Sequence, residues 1–122
     1  MIAVVTGLFL IWHGLIHLLF LAPVPPGSKN DKEWPFKFED SWLLTPLGLN
    51  NMQARRFGTV LAVITAAAFV IGGVSRMGVF GGWAIPVSIS AVCGLLLLGI
   101  YWRPWLSLGV LLNLGILILA VM

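Results

Sequence analysis

Charge is scarce in this chain. Its 122 residues hold seven Lys or Arg and four Asp or Glu, 9% together, against 60% hydrophobic residues. A soluble domain carries about a quarter of its residues charged. The shortage, with a mean hydropathy of +1.05, excludes an ordinary water-facing surface and predicts an integral membrane protein. Cysteine is almost absent as well. Cys93 stands alone, which excludes an intrachain disulfide, a dithiol redox pair and a cysteine-rich metal site. No acidic residue lies in a long apolar run, since Asp31, Glu33, Glu39 and Asp40 fall together in one polar stretch. The net charge of +3 comes from basic residues that flank the apolar runs, the usual place for residues facing lipid headgroups. Nucleic acid is therefore not expected as a partner.

What is present is apolar length. A helical span takes about 20 residues, and four runs qualify, near 2–22, 54–74, 83–101 and 105–121. The predicted fold is all-α, a membrane four-helix bundle forming one transmembrane domain over residues 1–122, with a long interfacial loop over 23–53. Met1 to Ala22 contains no Lys, Arg, Asp or Glu, and as a helix it reaches about 33 Å. It lacks a basic leader and exceeds the apolar core of a signal peptide, so it is expected to be retained as the first span.

Residues placed at helical steps sort each run into two sides. On the first, Ala3, Thr6, Gly7, Leu10, His13, Gly14, His17 and Leu21 fall together, opposite Val5, Leu8, Trp12, Leu15 and Leu19. On the second, Gly58, Ala62, Thr65, Ala66, Phe69, Gly72 and Gly73 share a side; on the fourth, Gly109, Asn113, Ile116 and Ala120 do. In lipid, small residues let helix backbones approach and polar side chains avoid hydrocarbon. Gly7, Gly14, Gly58, Ala62, Ala66, Gly73, Gly94, Gly109 and Asn113 are accordingly expected at helix contacts. Ser88, Ser90 and Cys93 can bond their own helix carbonyls and need no functional role.

The connections carry the membrane-surface signals. Pro23-Val24-Pro25-Pro26 stops the first helix, and Trp34 to Glu39 alternates apolar and polar residues, which suggests a short extended piece. Ser41 to Leu49 is too short to span and is broken by Pro46 and Gly48, so an interfacial or partly re-entrant turn is expected. Asn50 or Asn51 can cap the second helix. Trp34, Trp42, Arg55, Arg56, Trp83, Trp102, Arg103 and Trp105 read as interface anchors. Lys29, Lys32, Lys37, Arg55, Arg56 and Arg103 against Arg76 place the first loop on the cytoplasmic side and both termini opposite.

His13 and His17 are the sharpest chemical feature, four residues apart and hence one turn apart on one helix face. Neutral imidazole both donates and accepts, and it can ligate metals. Three roles stay open: packing or hydrogen bonding between helices, contact with a haem, chlorin or quinone, and proton relay. The geometry limits the second, because two ligands on one helix face cannot reach one haem from opposite sides. A tetrahedral metal site also lacks ligands, with Cys93 as the one candidate to join. No nucleophile, base and orienting acid form a catalytic set.

The segments Gly14-Leu15-Ile16-His17-Leu18-Leu19, Leu44-Thr45-Pro46-Leu47-Gly48-Leu49 and Trp102-Arg103-Pro104-Trp105 stand in an order that resembles a group of small four-helix bacterial membrane proteins without assigned function. Members of that group are sometimes labelled transporter permeases. The resemblance implies the four-helix fold and a bacterial plasma membrane, and no mechanism. Small four-helix drug exporters are similar in length but use a glutamate within the first helix, which this chain lacks. The expected function is a non-catalytic accessory or scaffold subunit packed on a larger transport or electron-transfer complex, or a homo-oligomer. The alternative is a cofactor-contacting subunit using His13 or His17.

Overall fold

The computed structural model describes residues 1–21, 41–78, 81–102 and 106–122. Among these residues the chain is all-helical and has no strand. The elements are α1 (Ile2–Ile16), continued by a 3-10 turn (His17–Leu21), then α2 (Asn51–Arg76), α3 (Ala84–Ile100) and α4 (Ser107–Val121). Two stretches, Ile2–Leu21 and Met52–Arg76, are long and apolar enough to cross a membrane, while α3 and α4 are apolar but shorter. Trp34, Arg103 and Trp105, the proline break after Ala22 and the alternating piece from Trp34 lie outside the described residues.

Local chemistry sets the helix ends. The expected single helix over 2–22 is α-helical only to Ile16. At His17 the backbone N–H bonds the Gly14 carbonyl, three residues back, so the His13 carbonyl is left for the His17 Nδ1–H, which donates to it at 3.0 Å. A side chain thus takes the acceptor that another helical turn needs, and the backbone tightens. α2 outruns its expected bounds at both ends. Asn50 is its N-cap, with Asn50 Oδ1 accepting from the Gln53 N–H at 2.8 Å and Gln53 Oε1 accepting from the Asn50 N–H at 3.0 Å, a reciprocal capping box. Pro86 is the third residue of α3, where the backbone N–H has no helical acceptor and its absence costs nothing.

Residues 42–48 form turns and do not span. This segment docks on the C-terminal end of α3, where carbonyls lack helical donors. Ser41 Oγ donates to the Ile100 carbonyl at 2.5 Å and Trp42 Nε1 to the Gly99 carbonyl at 2.7 Å. Tyr101 Oη then reaches across to donate to the Ala54 carbonyl of α2 at 2.6 Å, and the tyrosine is fully buried. Tyr101→Phe is predicted to cost about 1 kcal/mol of unfolding free energy. Unchanged resistance to unfolding in a mild detergent would show that this bond contributes nothing.

In packing order, α1 lies on α2, α2 on α3 and α3 on α4. Phe20, Leu44, Ala54, Ala62, Leu97, Leu98, Tyr101 and Leu106 make one buried apolar cluster. Leu10, Phe69, Val87, Ala91 and Ile116 make another, with a residue from every helix. His13, His17, Thr65 and Asn113 are buried between them. Outside, each helix exposes large aliphatic side chains, for example Val5 and Leu8, Ile64 and Ile71, Ile89 and Leu96, Leu111 and Leu119.

Candidate functional site

The two histidines share the α1 side that carries the small residues, and helix packing closes over them, leaving His13 3% and His17 4% exposed. Phe69 of α2 fits beside both rings. It meets His13 edge-on, with ring centroids 5.0 Å apart, and lies nearly parallel to His17 at 5.7 Å. The imidazoles meet each other edge-on at 5.1 Å, and Phe9 stacks on His13 at 5.8 Å. Each ring is held on several sides by apolar surface.

Hydrogen bonds assign the protons. The His13 carbonyl can only accept, so His17 Nδ1 carries the proton, and Nε2 of the neutral ring is an acceptor. Asn113 Nδ2 of α4 donates toward that Nε2 at 3.4 Å and to the Gly109 carbonyl at 2.9 Å. The second bond fixes the amide orientation, because a flipped Asn113 would set Oδ1 against another acceptor. Both nitrogens of His17 are therefore engaged. His13 is not satisfied in this way. Its Nε2 is buried without a partner, and so is Asn113 Oδ1, although the Asn113 amide lies beside His13. An unpaired polar atom in an apolar interior costs on the order of 1–3 kcal/mol, and the Asn113 amide is the polar group placed to offset that cost at His13.

Beside them lies a cavity of about 210 Å³, lined by His13, His17, Trp12, Ile16, Phe20 and Leu98 together with the first turns of α4. Ligand pockets usually measure about 300–1,000 Å³, so this space suits a single ring or a few waters better than a macrocycle. Among the described residues no three His, Cys, Asp or Glu side chains gather as a metal site. Of the polar residues on the small-residue sides of α2 and α4, Asn113 reaches the histidines. Thr65 does not, because its hydroxyl returns to the Leu61 carbonyl of its own helix at 2.7 Å.

The small residues are placed as follows. Gly7, Gly14, Gly58, Ala62, Ala66, Gly73 and Gly94 are buried and Gly109 is partly buried. A Cβ on Gly94 would sit 2.6 Å from Asn113 Oδ1 and 3.1 Å from His17 Nε2, so glycine here admits the α4 amide to the histidine. Of the anchor residues, Trp42, Arg55, Arg56 and Trp102 are exposed and Trp83 is half-buried. Two features escape inspection of the sequence: the Ser41 and Trp42 cap on α3, and the Arg76 guanidinium stacked 5.0 Å from the Trp83 ring centroid. The position of the single tyrosine at the end of an apolar run was a usable signal for the α2–α3 link.

No protein-family model matches this chain, and no curated protein or solved structure matches it significantly.

Proposed function

We propose that this chain is a polytopic protein of a bacterial plasma membrane, with all four helices crossing the bilayer, and that it serves as a non-catalytic accessory or scaffold subunit of a larger membrane assembly. The observation that carries the reading is the inverted distribution of polarity. Imidazoles, hydroxyls and an amide lie inside, while every helix turns large apolar side chains outward, among them Trp12, Ile64, Ile89 and Leu119. In water such a surface would aggregate; in hydrocarbon it is matched.

Helix length supports a partner. α3, with 17 residues, rises about 26 Å, short of a hydrocarbon core of about 30 Å. Short spans are relieved by thinning the bilayer or by packing on a neighbour. The engaged nitrogens of His17 support a structural role for that residue. His13 and His17 on the wall of a small cavity favour a second reading, contact with a small hydrogen-bonding head such as a quinone carbonyl, over paired haem ligation.

The test begins with membranes washed in alkaline carbonate, where the chain is expected to stay with the pellet. Purified in mild detergent, it is expected to co-elute with a larger complex and to show no stoichiometric visible chromophore. Release by carbonate would defeat the membrane reading. A lone species with a stoichiometric chromophore, a visible band or the ultraviolet band of a quinone, that His13→Asn removes would replace the accessory role by cofactor binding.

A further inference from the structure

One further unsatisfied polar atom lies at the end of α2, outside the histidine cavity. Arg76 closes α2, and its Nε is buried with no hydrogen-bond partner. Trp83, just before α3, covers the guanidinium with its ring. The cation borders a cavity of about 350 Å³ whose other walls are Thr6, Phe9, Leu10, Ile116 and Leu119 from α1 and α4. The Thr6 hydroxyl donates to the Ile2 carbonyl at 2.7 Å and makes no hydrogen bond to Arg76 Nε. No Asp or Glu stands among the described residues.

A guanidinium half-sunk in apolar surface is stabilised by an anion that its planar fork can grip with two N–H groups. The remaining volume is at the small end of ligand pockets and is lined by aliphatic and aromatic carbon. The site therefore asks for an anion joined to a hydrocarbon chain. Its depth agrees, because an Arg beside a Trp at helix ends is the usual arrangement at the headgroup level of a bilayer.

We propose that Arg76, Trp83 and this cavity bind an anionic membrane lipid, its phosphate on the arginine and part of an acyl chain between Phe9, Leu10, Ile116 and Leu119. The proposal rests on the membrane reading above, and the two fail separately. A carbonate-released chain defeats that reading, whereas a membrane-retained chain without headgroup preference defeats this one alone.

The experiment is a titration of the full chain in mild detergent, followed by native mass spectrometry. The probes are phosphatidylglycerol, phosphatidylcholine with the same acyl chains, and inorganic phosphate. Wild-type protein is expected to hold phosphatidylglycerol about tenfold more tightly than phosphatidylcholine, and inorganic phosphate is not expected to displace it. Arg76→Gln should reduce phosphatidylglycerol binding to the phosphatidylcholine level, and Arg76→Lys should fall between, since a point charge replaces a fork. Leu119→Trp supplies an arm independent of the arginine, because Leu119 is 67% exposed and its enlargement fills the cavity without touching the core; it should weaken phosphatidylglycerol binding. Equal affinity for the two lipids, a headgroup preference that survives Arg76→Gln, or displacement by inorganic phosphate at equal concentration would each overturn the proposal.

Discussion

Gly73→Val is expected to separate α1 from α2 and to cost about 3 kcal/mol or more, at the upper end of overpacking penalties. A Cβ on Gly73 would lie 2.5 Å from the Gly7 carbonyl oxygen and 2.7 Å from Ile11 Cγ1. Non-bonded heavy atoms settle at about 3.5 Å or more, so something must move by roughly an ångström. A side chain alone would rotate aside, but the closest atom belongs to the α1 backbone. The contact is reciprocal, since a Cβ on Gly7 would lie 2.5 Å from the Gly73 carbonyl oxygen. The helices must therefore part along a length that includes Gly14 against Phe69, and both histidines lose their contact with Phe69. Gly115→Ala is the matched control, because no atom lies within 4 Å of the added carbon and the change is expected to stay within about 1 kcal/mol of wild type. Unfolding in increasing fractions of a denaturing detergent compares the two; equal midpoints would sink the argument.

How much of this was readable beforehand depends on the range of the interaction. Along α1, Gly7, Leu10, His13, Gly14 and His17 are buried and Val5, Leu8, Trp12, Leu15 and Leu19 exposed, the division that a 100° step produces. The α2 side from Gly58 to Gly73 is likewise buried throughout. Such faces are legible because a helix repeats its geometry and because backbones come close only where side chains are small. The 3-10 turn at His17 was not legible, since it depends on which acceptor one imidazole takes. Nor was the α3 cap, whose donors Ser41 and Trp42 precede their acceptors by 59 and 57 residues. Thr65 and Asn113 both lie on small-residue helix sides, and only contact could show which of them meets the histidines. A threonine hydroxyl reaches back to its own helix, whereas the longer asparagine amide serves two acceptors at once.

That amide is the hinge of the buried layer. Asn113 ties its own Gly109 carbonyl to His17, His17 ties back to His13, and Gly94 leaves room for all of it. Replacing the layer wholesale by apolar groups of matching shape is a smaller perturbation than removing one member, because a partial network strands its remaining polar atoms. The layer is expected to act as a register mark for the end of α1 against α4, the best-attested use of a lone buried polar contact. A shift by one turn on either helix would leave His17 Nε2 and the Asn113 amide facing carbon.

Asn113→Leu is accordingly expected to lower stability by about 2 kcal/mol, within the range for an orphaned buried acceptor. Most of that loss should come from His17, whose Nε2 then has no donor. A double-mutant cycle with His17→Phe isolates the pair, and the coupling is expected at about 0.6 to 1.7 kcal/mol, between the average and the maximum measured for side-chain bonds between membrane helices. His17→Phe also frees the His13 carbonyl, so the single variants are not equal and the coupling, not either single value, is the quantity to read. The proton assignment supplies a separate check. Nitrogen-15 spectra of wild-type protein labelled at histidine should show His17 protonated on Nδ1 and bare on Nε2, with the Nε2 resonance shifting in Asn113→Leu while the Nδ1 proton stays. A wild-type proton on Nε2 would mean that His17 donates to Asn113, which would reverse the amide and break its bond to Gly109, and the register argument would fall with it.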